Sequence, residues 1–346
     1  MISAIFGGDV WLAPSLMGKK KEMKSSLIGI TGNQYTDIFV CNLEAPFLSD
    51  HNRSKRRALL QTEPDLLDSL KIADSNILVL ANNHICDYGD SGLLKTIEGC
   101  CQKGFLVVGA GENLVEARKP IIIQKKNRTI AIMAYSETAT YVGAVAAKKD
   151  KPGVAPLEID TICEDITNIK NKVDDIWVFL HWGKEYVRYP MPTQRQIARV
   201  LIASGATMII GHHPHVLVGY EKINNCCIYY SLGNFIFPDI PLQDDIILKW
   251  NKISRASIIL KAVFDKDSWD FERTFLSLNS DGLPVSDNNN TKAAETFRKM
   301  SEKITTLDYV RNYKFLFASE RVRHFASKLI DIKKLKKDII WKINNN

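Results

Sequence analysis

The sequence predicts an α/β fold, and three observations carry that expectation. Short apolar runs rich in Val, Ile, Leu and Phe alternate with helical stretches through most of the chain. After about residue 216 the alternation gives way to consecutive strands. Carboxylates, amides and imidazoles stand where the apolar runs end, and the carboxyl edge of the strands is where open α/β sheets bind ligands.

The elements follow in order. Ser3–Phe6 reads as a first strand, and Gly7–Gly8 turns the chain to deliver Asp9. Asp37–Cys41 is a second buried strand that ends in Asn42–Leu43–Glu44. The basic segment 51–57 (HNRSKRR) reads as a solvated loop or as a clasp for an anionic substrate. Pro64–Ala73 is expected to be a helix with Leu66, Leu67 and Leu70 on one face. Asn76–Leu80 is a third strand, and Asn83 and His84 follow its end. Asp90–Gly104 reads as a helix stopped by glycine. Strands are expected at Leu106–Val108, Pro120–Ile123 and Thr129–Ala134, then a long loop over 136–157. Glu158–Val173 and Thr193–Ser204 read as helices, and Ile176–Leu180 and Thr207–Ile210 as buried strands. Two hairpins close the body: Val216–Ile223 with Cys226–Tyr230 around Asn224–Asn225, and Ser257–Phe264 with Asp270–Leu278. From residue 286 the character changes to a polar linker, then helices near Thr291–Thr305 and Val322–Ile343, so the domains are expected at 1–285 and 286–346. The last helix is amphipathic and basic, suited to packing on the body, on a protein partner or on an anionic membrane surface.

Composition narrows the function. The chain has 346 residues, is 45% hydrophobic and carries a formal charge of +7. Residues 320–346 hold eight Lys/Arg against three Asp/Glu, so most of the excess lies in the tail and the body is nearly neutral. With no zinc-finger spacing or basic-aromatic groove, nucleic-acid binding is not expected. The seven cysteines show no C-x-x-C spacing and include the adjacent pairs Cys100–Cys101 and Cys226–Cys227, which suits a reducing compartment. The opening MISAIFGGDVWL lacks a charged start and a cleavage site, and no apolar stretch spans a bilayer, so a cytoplasmic location is expected, peripheral to the inner membrane face at most.

Residues 178–237 hold four of the seven histidines, each just past a strand run. His181 ends one; His212, His213 and His215 follow the next. Two residues apart in extended chain, His213 and His215 would face one centre. A structural hydrogen-bonded pair is the competing reading of that spacing. Asp87 is open to two roles, orienting His84 or capping the next helix. Taken together, Asp9, Glu44, Asn83, His181, His213 and His215 make an oxygen and nitrogen donor set that suits Mn, Fe or Zn rather than a thiolate site. Six ligands exceed one tetrahedral ion and fit two divalent ions, which activate water and neutralise a phosphoryl group.

The segments GGDV (7–10), NLEAP (42–46), ANNHICDYGDSGLLKT (81–96), GAG (109–111), HWGKEY (181–186), GHHPHV (211–216) and YSLGNFIF (230–237) resemble, in order, the motifs of CapA-type capsule synthesis proteins, the PGA_cap family. That family is similar to the calcineurin-like metallophosphoesterases. The resemblance implies a metallophosphatase-like four-layer sandwich, two packed mixed β-sheets flanked by helices, with a C-terminal helical extension. It implies Asp9, Glu44, Asn83, His181, His213 and His215 as metal ligands, and His84 as the acid that protonates the leaving group, with Asp87 beside it. Asn42, Glu185, His212 and Asn234 fall to substrate binding. Two departures separate the chain from a generic phosphatase: Asp-x-His reads Asp9–Val10–Trp11, and the second-motif aspartate is replaced within Asn42–Leu43–Glu44. The CapA-type resemblance predicts both. The expected function is metal-dependent phosphoester hydrolysis on an anionic small-molecule or polymer substrate in capsule or envelope synthesis. The alternative is a non-catalytic accessory role in making poly-γ-glutamate or another polyanion.

Overall fold

Strands buried on both faces need a covering layer on each side, and the longest runs of this chain are of that kind. Ile2–Val10 has one residue that is not fully buried, and Asp175–His181 has none. The computed structural model describes residues 1–32, 36–49, 60–139, 142–241, 247–265, 268–287 and 291–323. The basic segment 51–57, most of the polar linker and nearly all of the expected helix Val322–Ile343 lie outside the described residues.

Two sheets form the centre. The larger runs Pro284–Ser286, Ser268–Leu278, Ala256–Asp265, Ile2–Val10, Thr36–Leu43, Ala73–Val79, Leu106–Val108, with Asn234–Ile236 also paired to Ile2–Val10. The smaller runs Leu217–Ile223, Cys226–Leu232, Met208–His212, Asp175–His181, Arg128–Ser136, Ile121–Lys125. Both are mixed: parallel pairing runs through the middle, antiparallel hairpins close both edges of the smaller sheet and one edge of the larger, and Leu106–Val108 pairs parallel at the other. Period-two alternation assigns the layers. Ala4 and Phe6 enter the core between the sheets with Trp177, Phe179 and Ile210, whereas Ile5 faces the other way. On the outer face of the larger sheet lie Met23 and Leu27 of helix Lys20–Thr31 and Leu93 and Cys100 of helix Gly89–Gln102. On the outer face of the smaller sheet lie Ile162 and Ile166 of helix Ile159–Ile169 and Ala198 and Leu201 of helix Pro192–Ser204. The result is a four-layer α/β sandwich.

The described part of the extension joins these cores. Phe297 and Met300 of helix Thr291–Ile304 enter the inter-sheet core; Ile304, Tyr309 and Leu316 enter the outer core of the smaller sheet. Residues 309–323 are helical.

Several elements differ from expectation: the short helix Leu114–Arg118 and the strands Gly153–Val154, inside the expected loop 136–157, and Pro284–Ser286 were not foreseen, and two further differences have a visible cause. Pro64–Leu70 is a 3-10 helix and the next strand begins already at Ala73, because the Asn76 side chain binds Ile72, Ala73 and the Ala73 carbonyl and turns the chain there. Helix Lys20–Thr31 was not expected; it buries only Met23 and Leu27, too sparse a stripe to read as periodic.

Candidate metal centre

The central parallel strands of both sheets end at one edge of the sandwich, and their terminal residues touch across it. Asp9 is placed there by a backbone irregularity. The register between Ile2–Val10 and Thr36–Leu43 shifts between Phe6 and Asp9, and a Cβ on Gly8 would lie 1.8 Å from the Gly233 carbonyl oxygen. Only glycine admits that approach. The Asp9 amide then donates to Gly233 (3.0 Å), with Asn234 as its parallel neighbour.

Asn42 sits between two acids. Its Nδ2 donates to Asp9 Oδ1 (2.8 Å) and to Glu44 Oε2 (2.5 Å), and its own Oδ1 accepts from Asn82 (3.0 Å). Asn82 also donates to the Leu43 carbonyl and accepts from the amides of His84 and Ile85, so it shapes the turn that presents Asn83 and His84. Asn83 Oδ1 lies 2.8 Å from His181 Nε2, which is 3.7 Å from Glu44 Oε1. His212 Nδ1 lies 3.1 Å from Asp9 Oδ1, and the His213 amide donates to Asp9 Oδ2 (3.4 Å). His215 Nδ1 lies 2.8 Å from Asn234 Oδ1 and 3.5 Å from Asp9 Oδ2.

Ligand-type atoms of Asp9, Glu44 and His181 all lie within 4.8 Å of one another, as do those of Glu185, His213 and His215. Each set could hold a metal ion. All of these side chains except the exposed Glu185 are buried. Both ring nitrogens of the buried His213 lack a hydrogen-bond partner among the described residues, as does Nε2 of His212. A buried imidazole with neither nitrogen satisfied is costly unless a cation takes one of them. With carboxylate, amide and imidazole donors and no thiolate, the set fits a divalent transition metal.

The electrostatics fit as well. Burial opposes the charge of Asp9, but the His212 hydrogen bond and the charges of His212 and His215 hold its carboxyl below the ordinary range. Burial, then the charge on Asp9, push the Glu44 carboxyl well above it. Burial holds His181 well below the usual imidazole range, helped by His213, and takes His213 down to about 4. Both imidazoles are therefore neutral near pH 7, the form that ligates.

His84 stands apart from the ligand sets. Its Nδ1 lies 2.7 Å from Asp87 Oδ2, which also accepts from the Leu60 amide (3.1 Å). Asp87 therefore orients His84 and does not cap the helix that follows, whose N-cap is Tyr88 without a side-chain bond. A cleft of about 470 Å³ opens on the site, lined by Asn83, His84, Glu185, His215 and an apolar wall that includes Phe237 and Trp250.

Three residues expected on the substrate side lie elsewhere. Asn42, His212 and Asn234 are buried behind Asp9 and His215, bonded to them, and are absent from the cleft lining. The fourth, Glu185, lines the cleft and belongs to a ligand-distance set. His213 and His215 do not meet by strand alternation. The strand ends at His212, and His213 (φ 98°) and His215 (φ 54°) take left-handed turns that bring their ring centroids to 6.1 Å. Such backbone is costly for a residue with a Cβ and concentrates at functional sites. Asn82, the hinge of the Asn83–His84 turn, was missed by sequence reasoning; its position between strand end and helix was the available signal.

Residues 5–239 match the model of the family described as bacterial capsule synthesis protein PGA_cap. The chain belongs to the PGA_cap family. It is 35% identical over 248 residues to the PGA biosynthesis protein CapA of Bacillus subtilis, covering 68% of this chain and 63% of that one. It is 31% identical over 238 residues to the capsule biosynthesis protein CapA of Bacillus anthracis, covering 66% and 57%. The chain thus spans about 60% of the length of these curated relatives. Among solved structures it is similar to a novel phosphatase from Mycoplasma pneumoniae, with 13% identity and a TM-score of 0.48 over 85% of this chain and 96% of that one. Nothing about activity follows from a likeness at that level. Among the described residues no helix is long and apolar enough to cross a membrane.

Proposed function

We propose that this PGA_cap protein is a metal-dependent phosphoester hydrolase acting on an anionic intermediate or polymer of capsule or envelope synthesis. The observation that carries the reading is the oriented His84 on a cleft lined also by Glu185 and His215 of one ligand-distance set and by Asn83, which bonds His181 of the other. Asp9, Glu44, His181 and Asn83 would hold one divalent ion, and Glu185, His213 and His215 a second, as Mn, Fe or Zn. Ions bound there would activate water and offset charge developing on a phosphoryl group. The chain's own residues do the rest. The Asp87 carboxylate accepts a hydrogen bond from His84 Nδ1–H, which fixes the ring and leaves the Nε2 proton of the imidazolium to pass to the departing oxygen. Asn42 holds Asp9 and Glu44 in register, and the apolar wall with Trp250 keeps bulk water from part of the cleft.

The test is turnover of an aryl phosphodiester by purified protein with measured metal content, against His84→Ala. The proposal expects turnover to be lost and metal kept; an inactive wild type with metal bound would overturn it. That second result would favour an accessory role, in which the same site holds an acidic polymer without cleaving it. The name of a Mycobacterium tuberculosis relative, a probable polyglutamine synthesis accessory protein, fits that reading in part. A location peripheral to the inner membrane face and a partner for the basic tail remain part of the same proposal.

A further inference from the structure

Glu185 differs from the other ligand-distance residues in being exposed, and the side-chain bond it makes is to its own neighbour Tyr186, so its place depends on the backbone that carries both. What fixes it is the backbone of residues 183–190. Gly183 (φ 89°) and Tyr186 (φ 63°) both take left-handed conformations in this loop, and a strained non-glycine residue persists only where its surroundings hold it. On the site side, the Gly183 amide donates to Glu137 (3.0 Å) and the Tyr186 amide to the Pro214 carbonyl (2.8 Å), between His213 and His215. On the other side, the partners come from the helix at 309–323.

Arg188 makes a two-pronged pair with Glu320, Nε to Oε2 at 2.8 Å and a terminal nitrogen to Oε1 at 3.1 Å; Glu320 is only 3% exposed. The Tyr309 hydroxyl donates to the Pro190 carbonyl (2.6 Å), and the Lys184 ammonium lies 4.7 Å from the Phe317 ring centroid. Tyr186 and Tyr189 pack into the same core as Tyr309 and Leu316. The loop thus spans the ligand set and a helix 119 to 132 residues later in the chain by these hydrogen bonds.

We propose that the helix at 309–323 is a positioning element of the site, holding the 183–190 loop through Arg188–Glu320 so that Glu185 stays within ligating distance of His213 and His215. The inference rests on the reading that those three residues hold a cation. Glu320 and Arg188 touch no ligand themselves; they act through the loop backbone.

The experiment is calorimetric titration of the full-length, chelator-stripped chain with Mn²⁺, together with the thermal midpoint of the metal-free protein. The variants are Glu185→Gln, the double replacement R188M/E320M and Tyr309→Phe. Removing Arg188 and the buried Glu320 together avoids stranding a charge inside, and Arg323, the other partner of Glu320, is half exposed, so the double variant should fold with a midpoint near wild type. Glu185→Gln should abolish one of two binding events. The double variant should weaken that same event about 10–100-fold and leave the other unchanged, as loss of an outer contact to a ligand does. Tyr309→Phe keeps the ring, drops only the bond to Pro190, and should weaken the event by a smaller factor. Wild-type affinity in both the double variant and Tyr309→Phe, with Glu185→Gln impaired, would overturn the positioning role while sparing the site. Unchanged binding in Glu185→Gln would remove Glu185 from the ligand set, and the positioning role with it.

Discussion

His84 Nδ1 lies 2.7 Å from Asp87 Oδ2, three residues along the same turn, while Asn83 beside it faces His181 at 2.8 Å. Consecutive residues therefore serve two different jobs. Asn83 bonds a member of one ligand-distance set, and His84, bonded to Asp87, lines the cleft beside it. The first prediction follows from that split. His84→Ala should lower turnover of an aryl phosphodiester by about 10²–10⁴-fold, the usual worth of a general acid, with metal content unchanged. Asp87→Asn should lower it less, since the ring stays and only its orientation loosens. Turnover and metal analysis on the same preparations check both.

Gly8 is the second test. A Cβ there would lie 1.8 Å from the Gly233 carbonyl oxygen, which neither backbone can relieve without moving Asp9. Gly8→Ala should cost above about 3 kcal/mol, the upper end of what overpacking a core costs. It should also lose Mn²⁺ binding at the Asp9 set. Denaturant midpoints and metal titration read the two effects separately.

The layers of the fold were legible because the strands are long apolar runs that end in polar residues, and the order GGDV, ANNH, HWG, GHHPH carried the family. What the sequence hid was distance. The Asp9–His212 bond joins residues 203 apart, and the Arg188–Glu320 pair residues 132 apart. Local spacing also misled at His213 and His215, where an extended chain was expected and left-handed turns are found. The acid Glu185 was expected to touch substrate, not to join a ligand set. Its place near His213 and His215 depends on a loop conformation that no pattern encodes.

Burial takes His213 down to about 4 from an ordinary 6.5, so the folded form binds fewer protons than the unfolded chain between those values. Its stability is intact above pH 6.5 and falls as pH drops through that window. Glu44 acts in the opposite sense, holding its proton above the usual carboxylate range, so the whole-protein curve mixes the two. Comparison with His213→Gln isolates the imidazole. In metal-free protein the stability of wild type relative to that variant should fall by on the order of 3 kcal/mol from pH 7 to pH 4, at 1.36 kcal/mol per unit. Chemical denaturation across pH with chelator present checks this; parallel curves would contradict it.

Glu221 gives a structural contrast. It is 3% exposed and accepts from Arg195 (2.6 and 2.8 Å) and the Tyr230 hydroxyl (2.6 Å). Leaving the Arg195 charge without its carboxylate should cost about 3–5 kcal/mol. Glu221→Gln should therefore lower the denaturation midpoint, while mononuclear Mn²⁺ binding at the Asp9 set stays as in wild type.

The central claim is that Asp9, Glu44 and His181, and Glu185, His213 and His215, grip cations at one edge of the sandwich. Anomalous scattering from crystals grown with Mn²⁺ measures it directly. The account predicts a peak within each set, the two flanking the cleft that His84 lines. Crystals that bind no Mn²⁺ there, or bind it only elsewhere on the surface, would contradict it.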